Sequence, residues 1–316
     1  MAVLDGKTLR FSGVFAPVIT PFSENLSPDA GRLITHCRWM LSQGVGLSVF
    51  GTNSEANSLS ADEKIELMDA LVGAGIDPKM MMPGTGCCAI TETTRLTAHA
   101  TRLGCGGVLM LPPFYYKGVS DEGLFAAYAD VIQRVGSEDL RIYLYHIPPV
   151  SDVPLSIGLI DRLVKEYPAT VVGIKDSGGD WLNTRAMLDQ GWDDFRIFVG
   201  AETFLLDNMR HGGAGCISAT ANVNPAAIVR LYETWQDTGA EGQQQHLNLI
   251  RDTFGKYVVI PALKACTGHF SGDARWDIVR PPLMPMDAED KDTLVSDLYN
   301  LGFGMPGLMT TAEPTA

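Results

Sequence analysis

Long apolar runs and positive charge are both scarce in this sequence. No stretch approaches the roughly 20 consecutive apolar residues that a membrane-spanning helix needs, and the N-terminal segment lacks the apolar core of a signal peptide. The 24 Lys and Arg residues are outnumbered by 37 Asp and Glu residues, so the formal net charge is -13. Because nucleic acids and anionic membranes bind basic surfaces, we expect neither as a partner. We expect a soluble, cytoplasmic protein.

Metal-ligand spacings, nucleotide-binding motifs and CxxC pairs are absent as well. The six cysteines include no CxxC pair, and their scatter fits a reduced protein better than a disulfide framework. The six histidines form no HxH or HExxH spacing, and neither GxGxxG nor the P-loop pattern occurs. The sequence therefore predicts no metal and no cofactor.

Short apolar runs alternate regularly with amphipathic segments along most of the chain. Strands are predicted at residues 15–19, 45–50, 79–82, 107–111, 141–146, 170–174, 195–199 and 214–218. Amphipathic helical segments follow them, beginning with a helix at 28–42 that Ser27 would cap. Eight such units favour an α/β fold of the closed (β/α)8 TIM-barrel type over an open sheet. We predict the barrel over residues 1–238 and a C-terminal helical extension, packed on it, over 239–316.

The stretch TVVGIKDSGGD, residues 170–180, places a lysine at the end of a strand that is apolar on both faces. Alternation assigns Val171 and Lys175 to one face and Val172 to the other. A strand of this kind is usually buried between two layers. Burial disfavours a charged ammonium, and a neutral amine attacks carbonyls to form a Schiff base. The alternative is that the ammonium extends past the strand end into water.

The strand ends together suggest a ligand, because active sites of such barrels lie at the C-terminal ends of the strands. The residues expected there include Thr20, Thr52, Asn53, Thr85, Tyr115, Tyr116, Tyr145, Lys175, Gly200 and Ser218. A lysine requires a carbonyl, hydroxyl and N–H groups suit a carboxylate, and a tyrosine can move a proton. The set indicates a 2-oxo acid that is bound as an imine.

Six motifs occur in an order and spacing typical of one family. They are GTNSE at 51–55, PPFYY at 112–116, YHIPP at 145–149, GIKDSGGD at 173–180, GAGCISATAN at 213–222 and RPPL at 280–283. The chain resembles the dihydrodipicolinate synthase/N-acetylneuraminate lyase family of class I aldolases, through the whole barrel and into the extension. The resemblance implies that Lys175 is the Schiff-base lysine and that Tyr145 relays protons at the imine and at the reacting bond.

The same resemblance implies roles for further residues and an assembly. Thr52 and Asn53 match the positions that hold the pyruvate carboxylate, and the backbone at Gly200 and Ile217 matches the lining of the pyruvate pocket. Tyr116, or Tyr115 in its place, is similar to a tyrosine that reaches across a dimer interface to complete the proton relay. Members of the family are usually homotetramers built from tight dimers.

Two departures from the family pattern bear on the substrate. Asn53 stands where a second hydroxyl is usual; its amide can donate to a carboxylate but cannot pass a proton as a hydroxyl does. Val150 stands where dihydrodipicolinate synthases carry an arginine for the second substrate, which removes a charge-assisted contact. Lys117 is a candidate for holding a distal carboxylate, against the alternative of a solvated loop lysine.

These observations leave four functions open. The leading hypothesis is a class I lyase for a 2-oxo acid, with reversible aldol cleavage that releases pyruvate and an aldehyde. A dehydratase of 2-oxo-3-deoxy sugar acids would use the same lysine imine. The third is dihydrodipicolinate synthase itself. The fourth is a binding protein for 2-oxo acids that has lost its proton relay.

Overall fold

A closed ring of parallel strands forms the centre of the computed structural model, which describes residues 2–4, 6 and 10–308. The strands of the described residues are β1 Val3–Leu4, β2 Phe11–Ala16, β3 Gly46–Leu47, β4 Val108–Met110, β5 Ile142–His146, β6 Val171–Asp176, β7 Arg196–Val199 and β8 Gly215–Ile217. Their order is β1-β2-β8-β7-β6-β5-β4, with β3 on the other side of β2. β1 is antiparallel to β2, and every other strand pair is parallel.

Helices surround the ring and continue beyond it. They are α1 Ala30–Ser42, α2 Ala61–Gly73, α3 Ile90–Arg102, α4 Asp121–Val135, α5 Pro148–Ser151, α6 Ile157–Glu166, α7 Trp181–Leu188, α8 Leu205–Arg210, α9 Pro225–Thr234, α10 Ala240–Gly255, α11 Val259–Ser271 and α12 Ala288–Asn300. Within the part of the chain that the structure describes, none of these helices is long and apolar enough to cross a membrane. The predicted TIM barrel is confirmed.

The ring closes between β3 and β4 through isolated residue pairs. The predicted strand at 79–82 is therefore wrong, because no continuous strand forms there. The first two residues of that run belong to a 3₁₀ turn. Met81 then pairs with Leu47 in β3, and Gly84 pairs with Leu109 in β4. A proline between these two bridges has no N–H to donate, which limits the pairing to isolated residues.

Strand and helix ends differ from the predictions at the start of the chain. The first barrel strand is Phe11–Ala16 rather than 15–19, because the predicted run begins within the strand and continues into the loop that follows it. Only Gly46–Leu47 of the run 45–50 is a strand. The first helix begins at Ala30, and its cap is Asp29, whose side chain accepts a hydrogen bond from the backbone N–H of Arg32, not Ser27. An aspartate capping from that position satisfies a donor that would otherwise be unpaired.

A bulge changes the two faces of β6. Ile142 of β5 pairs with Val171, whereas its neighbour Tyr143 pairs with Gly173, so Val172 is an extra residue in β6. Val171 packs in the outer core between strands and helices, and Val172 packs in the inner core of the ring. The predicted faces of these two valines are therefore wrong, and simple alternation holds only beyond the bulge, where Lys175 lies.

Helices α10 and α11 cover the barrel on the side of the strand ends, and α12 packs on both of them. α9 ends at Thr234 and α10 begins at Ala240, on either side of the predicted division between residues 238 and 239, which stays a prediction. α10 packs on residues 202–204 after β7, and α11 packs on residues 52–54 after β3. The predicted extension includes residues 309–316, which lie outside the described residues.

A buried histidine of α1 packs against the 3₁₀ turn Ala274–Asp277, which follows α11. His36 is 1% exposed, and its ring centroid lies 5.6 Å from that of Trp39 and 5.1 Å from that of Trp276. Burial lowers the pKa of His36 from 6.5 to about 4, while the side chain of Asn222 opposes the shift. The folded protein therefore holds this ring neutral at pH values where the unfolded chain binds a proton.

This difference predicts acid destabilisation that depends on one residue. Between pH 6.5 and 4, the unfolded state binds more protons than the folded state at His36. The free energy of unfolding therefore decreases as the pH is lowered through this range. The loss reaches about 3 kcal/mol near pH 4. Urea unfolding at several pH values should show that the free energy of unfolding of the wild type, minus that of His36→Leu, decreases on acidification. The exposed His246→Gln variant should follow the wild type, and a constant difference for His36→Leu would contradict the assignment.

Candidate active site

A cavity of about 260 Å³ opens at the C-terminal ends of the strands. This volume is slightly below the range of about 300–1,000 Å³ that is typical of ligand sites. Its lining consists of Thr52, Asn53, Tyr145, Ile147, Val150, Lys175, Asp176, Ser177, Gly179, Gly200, Ala201, Phe204, Ala219 and Arg251. A larger depression of about 390 Å³ lies beside Asp29 and Arg32, and neither lysine nor tyrosine lines it. The chemistry expected from the strand ends is found in the smaller cavity.

The predicted lysine and tyrosine meet in this cavity. Tyr145 and Lys175 are direct partners in the pairing of β5 with β6, so both side chains leave the strand ends together. Lys175 is 2% exposed, and its Nζ lies 3.2 Å from the Oη of Tyr145. The same Oη lies 3.2 Å from the Oγ1 of Thr52. A buried amine, a phenol and a hydroxyl are thus connected by hydrogen bonds.

The loop after β3 presents the two residues that were predicted to hold a carboxylate. Residues Thr52–Ser54 form a single 3₁₀ turn, and both Thr52 and Asn53 line the cavity. Ser54 holds the turn in place: its Oγ accepts from the N–H of Gly51, and its carbonyl accepts from the Oγ1 of Thr20 at 2.7 Å. The turn therefore offers a hydroxyl and an amide to a ligand from a fixed backbone.

Glycine is required at position 200 by a close approach. A Cβ there would lie 2.0 Å from the Oγ of Ser177, and the N–H of Gly200 donates to the carbonyl of Asp176 at 2.7 Å. Gly200 lines the cavity, as predicted for its backbone. Ile217 is fully buried in the inner core and, among the described residues, is not part of the cavity lining.

Two tyrosines of the predicted site lie outside the cavity of the single chain. Tyr116 is 74% exposed, and its ring meets that of Tyr115 edge-on at 5.4 Å between centroids. Neither residue is part of the cavity lining among the described residues. A role for Tyr116 across a subunit interface stays a prediction.

His146 and Asp176 shape the turn after β6. The carboxylate of Asp176 accepts from the Nδ2 of Asn183 at 3.0 Å and the Oγ1 of Thr184 at 2.7 Å. The Nδ1 of His146 accepts from the N–H of Leu155, and burial lowers the pKa of His146 while Asp176 opposes the shift. Both side chains therefore already have hydrogen-bond partners within the protein.

Comparison with known proteins places this arrangement in a family. Residues 10–301 match the profile of the dihydrodipicolinate synthetase family, and the match includes the strand ends that carry Thr52, Tyr145 and Lys175. The chain belongs to the dihydrodipicolinate synthetase family.

Relatives of this family member bear the names of lyases and synthases. An uncharacterized DapA-like lyase of Chloroflexus aurantiacus is 30% identical over 281 residues, which cover 88% of this chain and 93% of the relative. A 4-hydroxy-tetrahydrodipicolinate synthase of Methanococcoides burtonii is 31% identical over 300 residues, covering 92% and 99%. The resemblance inferred from the six motifs is confirmed, and the protein is a lyase of this family.

Solved structures of the family have the same fold. A dihydrodipicolinate synthase from Agrobacterium tumefaciens is 32% identical, with a TM-score of 0.85 over 92% of this chain and 99% of its own. YagE, a prophage protein of E. coli that was crystallised with pyruvate, is 25% identical, with a TM-score of 0.83 over 92% and 99%.

The family member also carries a cavity residue that sequence analysis missed. Arg251 lies on α10, among the helices that follow the barrel, and its side chain lines the cavity. It stands four positions after Leu247 and three before Phe254, both of which are buried. A basic residue within the apolar stripe of an amphipathic helix was the sequence feature that could have indicated this cavity residue. Within the described part of the chain, no cluster of three or more acidic, histidine or cysteine side chains could hold a metal.

A buried ion pair fixes the loop after β3, which carries Thr52 and Asn53, to the C-terminal helices. Glu55, next to the turn of Thr52, pairs with the Nζ of Lys264 from α11, and both side chains are 0% exposed. Lys264 also donates to the carbonyl of Ile278 at 2.8 Å, and Glu55 accepts from the N–H of Arg280 at 2.9 Å. Burial lowers the pKa of Lys264 to about 8, against the opposing effect of Glu55.

Lys264→Met is expected to destabilise the protein by about 3–5 kcal/mol, because it leaves the carboxylate of Glu55 buried without its counter-ion. The Michaelis constant for the substrate should also rise, because the loop that presents Thr52 loses its anchor. The matched control is Lys256→Met, which breaks an ion pair with Asp297 whose lysine side chain is 58% exposed. Equal unfolding midpoints for the two variants in urea would contradict the anchoring role.

Proposed function

We propose that the protein is a class I lyase that cleaves and forms a carbon–carbon bond next to the imine of a 2-oxo acid, with pyruvate as one half of the substrate. The observation that carries the proposal is the buried Nζ of Lys175 at 3.2 Å from the Oη of Tyr145, inside a cavity at the strand ends. A buried amine beside a proton-transfer group is the arrangement that imine formation requires.

The reaction begins with attack of the Lys175 amine on the C2 ketone, which gives a carbinolamine. Tyr145 passes a proton to the carbinolamine hydroxyl, and loss of water leaves the protonated imine. The Oγ1 of Thr52 at 3.2 Å from the Oη of Tyr145 supports a second hydrogen-bond step in this relay. Thr52 and Asn53 bind the carboxylate of the oxo acid through a hydroxyl and an amide.

Bond cleavage uses the protonated imine as the electron sink. Tyr145 accepts the proton of the 4-hydroxyl, the C3–C4 bond breaks, and its electron pair moves into an enamine while the aldehyde departs. Protonation of the enamine at C3 and hydrolysis of the imine release pyruvate and restore the Lys175 amine. Tyr145, deprotonated when the imine forms, is reprotonated by the 4-hydroxyl, gives that proton to C3 of the enamine and regains one when water hydrolyses the imine. The complete cycle therefore returns the protein to its starting protonation and needs no reactant besides water.

Position 150 supports an aldol lyase over dihydrodipicolinate synthase. Val150 lines the cavity and is 64% exposed, so the side chain at this rim offers no hydrogen bond to the carboxylate of a second substrate. The experiment is an identification of products with a panel of 4-hydroxy-2-oxo acids and with pyruvate plus aspartate semialdehyde. Pyruvate and a free aldehyde support the proposal. A dehydrated oxo acid with its carbon count kept, or a cyclic condensation product, would replace it.

We also propose that the protein is a homotetramer, as the resemblance to the family implies. The exposed pair Tyr115 and Tyr116 offers two apolar rings next to Val119, which is 40% exposed, and such a patch fits a subunit contact. A partner subunit would then bring Tyr116 to the relay of Lys175 and Tyr145. Sedimentation velocity of the wild type and of Tyr116→Ala measures whether the contact forms.

A further inference from the structure

The cavity contains a second cation with a donor that none of the described residues uses. Arg251 lines the same cavity as Lys175, and its side chain is 25% exposed. Its Nη1 is buried and has no hydrogen-bond partner among the described residues. A buried donor that lacks a partner is costly unless a ligand or water occupies it. Because the side chain lines the cavity and is partly exposed there, the guanidinium is placed to receive an acceptor from a ligand.

The neighbouring acid does not occupy this guanidinium. The Oε2 of Glu202 lies 3.8 Å from the Nη1 of Arg251, which is beyond hydrogen-bond distance. Both oxygens of the Glu202 carboxylate already accept hydroxyl hydrogen bonds, one from Ser218 and one from Thr220. Glu202 itself is fully buried and is not part of the cavity lining. The Glu202 carboxylate therefore compensates the charge of Arg251 without accepting a hydrogen bond from the guanidinium.

Two other charged groups near the rim of the cavity already have hydrogen-bond partners within the protein. The ammonium of Lys117, the candidate suggested by sequence, donates to the carbonyls of Phe114 and Ser151 and is not part of the cavity lining among the described residues. The carboxylate of Asp176 is held by the hydrogen bonds that shape its own turn. Among the described residues that line the cavity, Arg251 is the cation that remains for a ligand beside Lys175.

We propose that Arg251 binds an anionic group on the aldehyde half of the substrate, so that the aldehyde released on cleavage carries its own carboxylate or phosphate. This inference rests on the proposed lyase function. α10 brings Arg251 to the residues that follow β7, the neighbour of the Lys175 strand, whereas Thr52 and Asn53 follow β3 on another side of the ring. The substrate is therefore an acid at both ends, with the reacting bond between them.

The test measures condensation of pyruvate with anionic and neutral aldehydes. The anionic probes are glyoxylate and glyceraldehyde 3-phosphate, which separate a carboxylate from a phosphate, and the neutral probes are glycolaldehyde and glyceraldehyde. Arg251→Gln should lower kcat/KM for one or both anionic probes by about 10- to 100-fold, the effect of losing a hydrogen bond to a charged group. Its kcat/KM for the neutral probes should stay within about 3-fold of wild type, because a neutral ligand makes no charge-assisted contact.

Matched variants separate ligand binding from a structural role. The exposed Arg230→Gln in α9 removes the same charge outside the cavity and should leave both classes of aldehyde unchanged. Arg251→Lys keeps the charge beside Glu202 but loses the planar pair of donors, so its loss should again be confined to anionic aldehydes. This variant decides the question if Arg251→Gln does not fold.

Three results overturn the inference, and they are distinguishable from one another. An equal loss for anionic and neutral aldehydes in Arg251→Gln and Arg251→Lys would assign Arg251 to structure, as a counter-ion of Glu202 only. If the wild type forms no borohydride-stable adduct with pyruvate, the proposed lyase function fails and this inference fails with it. An adduct without any preference for anionic aldehydes overturns the inference alone.

Discussion

Lys175→Ala is expected to lose turnover by at least about 10⁴-fold, the scale seen when a covalent enzyme loses its nucleophile. The variant removes the amine that forms the imine, and no other lysine lines the cavity among the described residues. The protein should still fold, because the change takes a buried ammonium out of the core and leaves Tyr145 hydrogen-bonded to Thr52.

Steady-state kinetics and circular dichroism together measure this prediction. Lys165→Ala is the matched control, since that lysine is 72% exposed and pairs with Asp161 on the surface of α6. It should retain wild-type turnover. Turnover in Lys175→Ala within about 10-fold of wild type would show that the reaction does not pass through an imine at this residue.

Tyr145→Phe is expected to lower kcat by about 10²- to 10⁴-fold, the usual contribution of a group that transfers a proton in the reaction. The phenol is the link between Nζ of Lys175 and Oγ1 of Thr52, each at 3.2 Å, and phenylalanine keeps its ring while removing that link. The Michaelis constant should change little, since the carboxylate contacts of Thr52 and Asn53 remain.

A second buried tyrosine supplies the control for this variant. Tyr128 is 2% exposed, and its Oη donates to the carbonyl of Met110 at 3.3 Å, outside the cavity. Tyr128→Phe should lower stability by about 1 kcal/mol and leave kcat unchanged. If Tyr145→Phe and Tyr128→Phe have the same kcat, the phenol of Tyr145 has no part in proton transfer.

The sequence was sufficient to predict the pairing of Lys175 with Tyr145. Both residues end apolar runs that must be parallel strands, and neighbouring parallel strands end at the same edge. Local rules also account for several helix starts: Ser60 and Glu63 form a capping box, and Ser120 and Ser156 cap the helices that follow them. These features depend on residues close together in the chain.

Features that depend on distant partners were not predictable in the same way. The bulge at Val172 exists because β5 pairs with β6 in a shifted register, which the sequence of one strand does not encode. Arg251 reaches the cavity because α10 packs against the residues after β7, far from them in sequence. Tyr116 would need a second chain to approach the site, so its role stays a prediction.

The central claim is that the amine of Lys175 forms an imine with a 2-oxo acid. The most direct measurement is reduction with borohydride in the presence of pyruvate, followed by peptide mass spectrometry of the wild type and of Lys175→Ala. The account predicts one reduced pyruvate per chain, on the peptide that contains Lys175, and none on the variant. An unmodified Lys175 peptide, under conditions that trap a known class I aldolase, would contradict it.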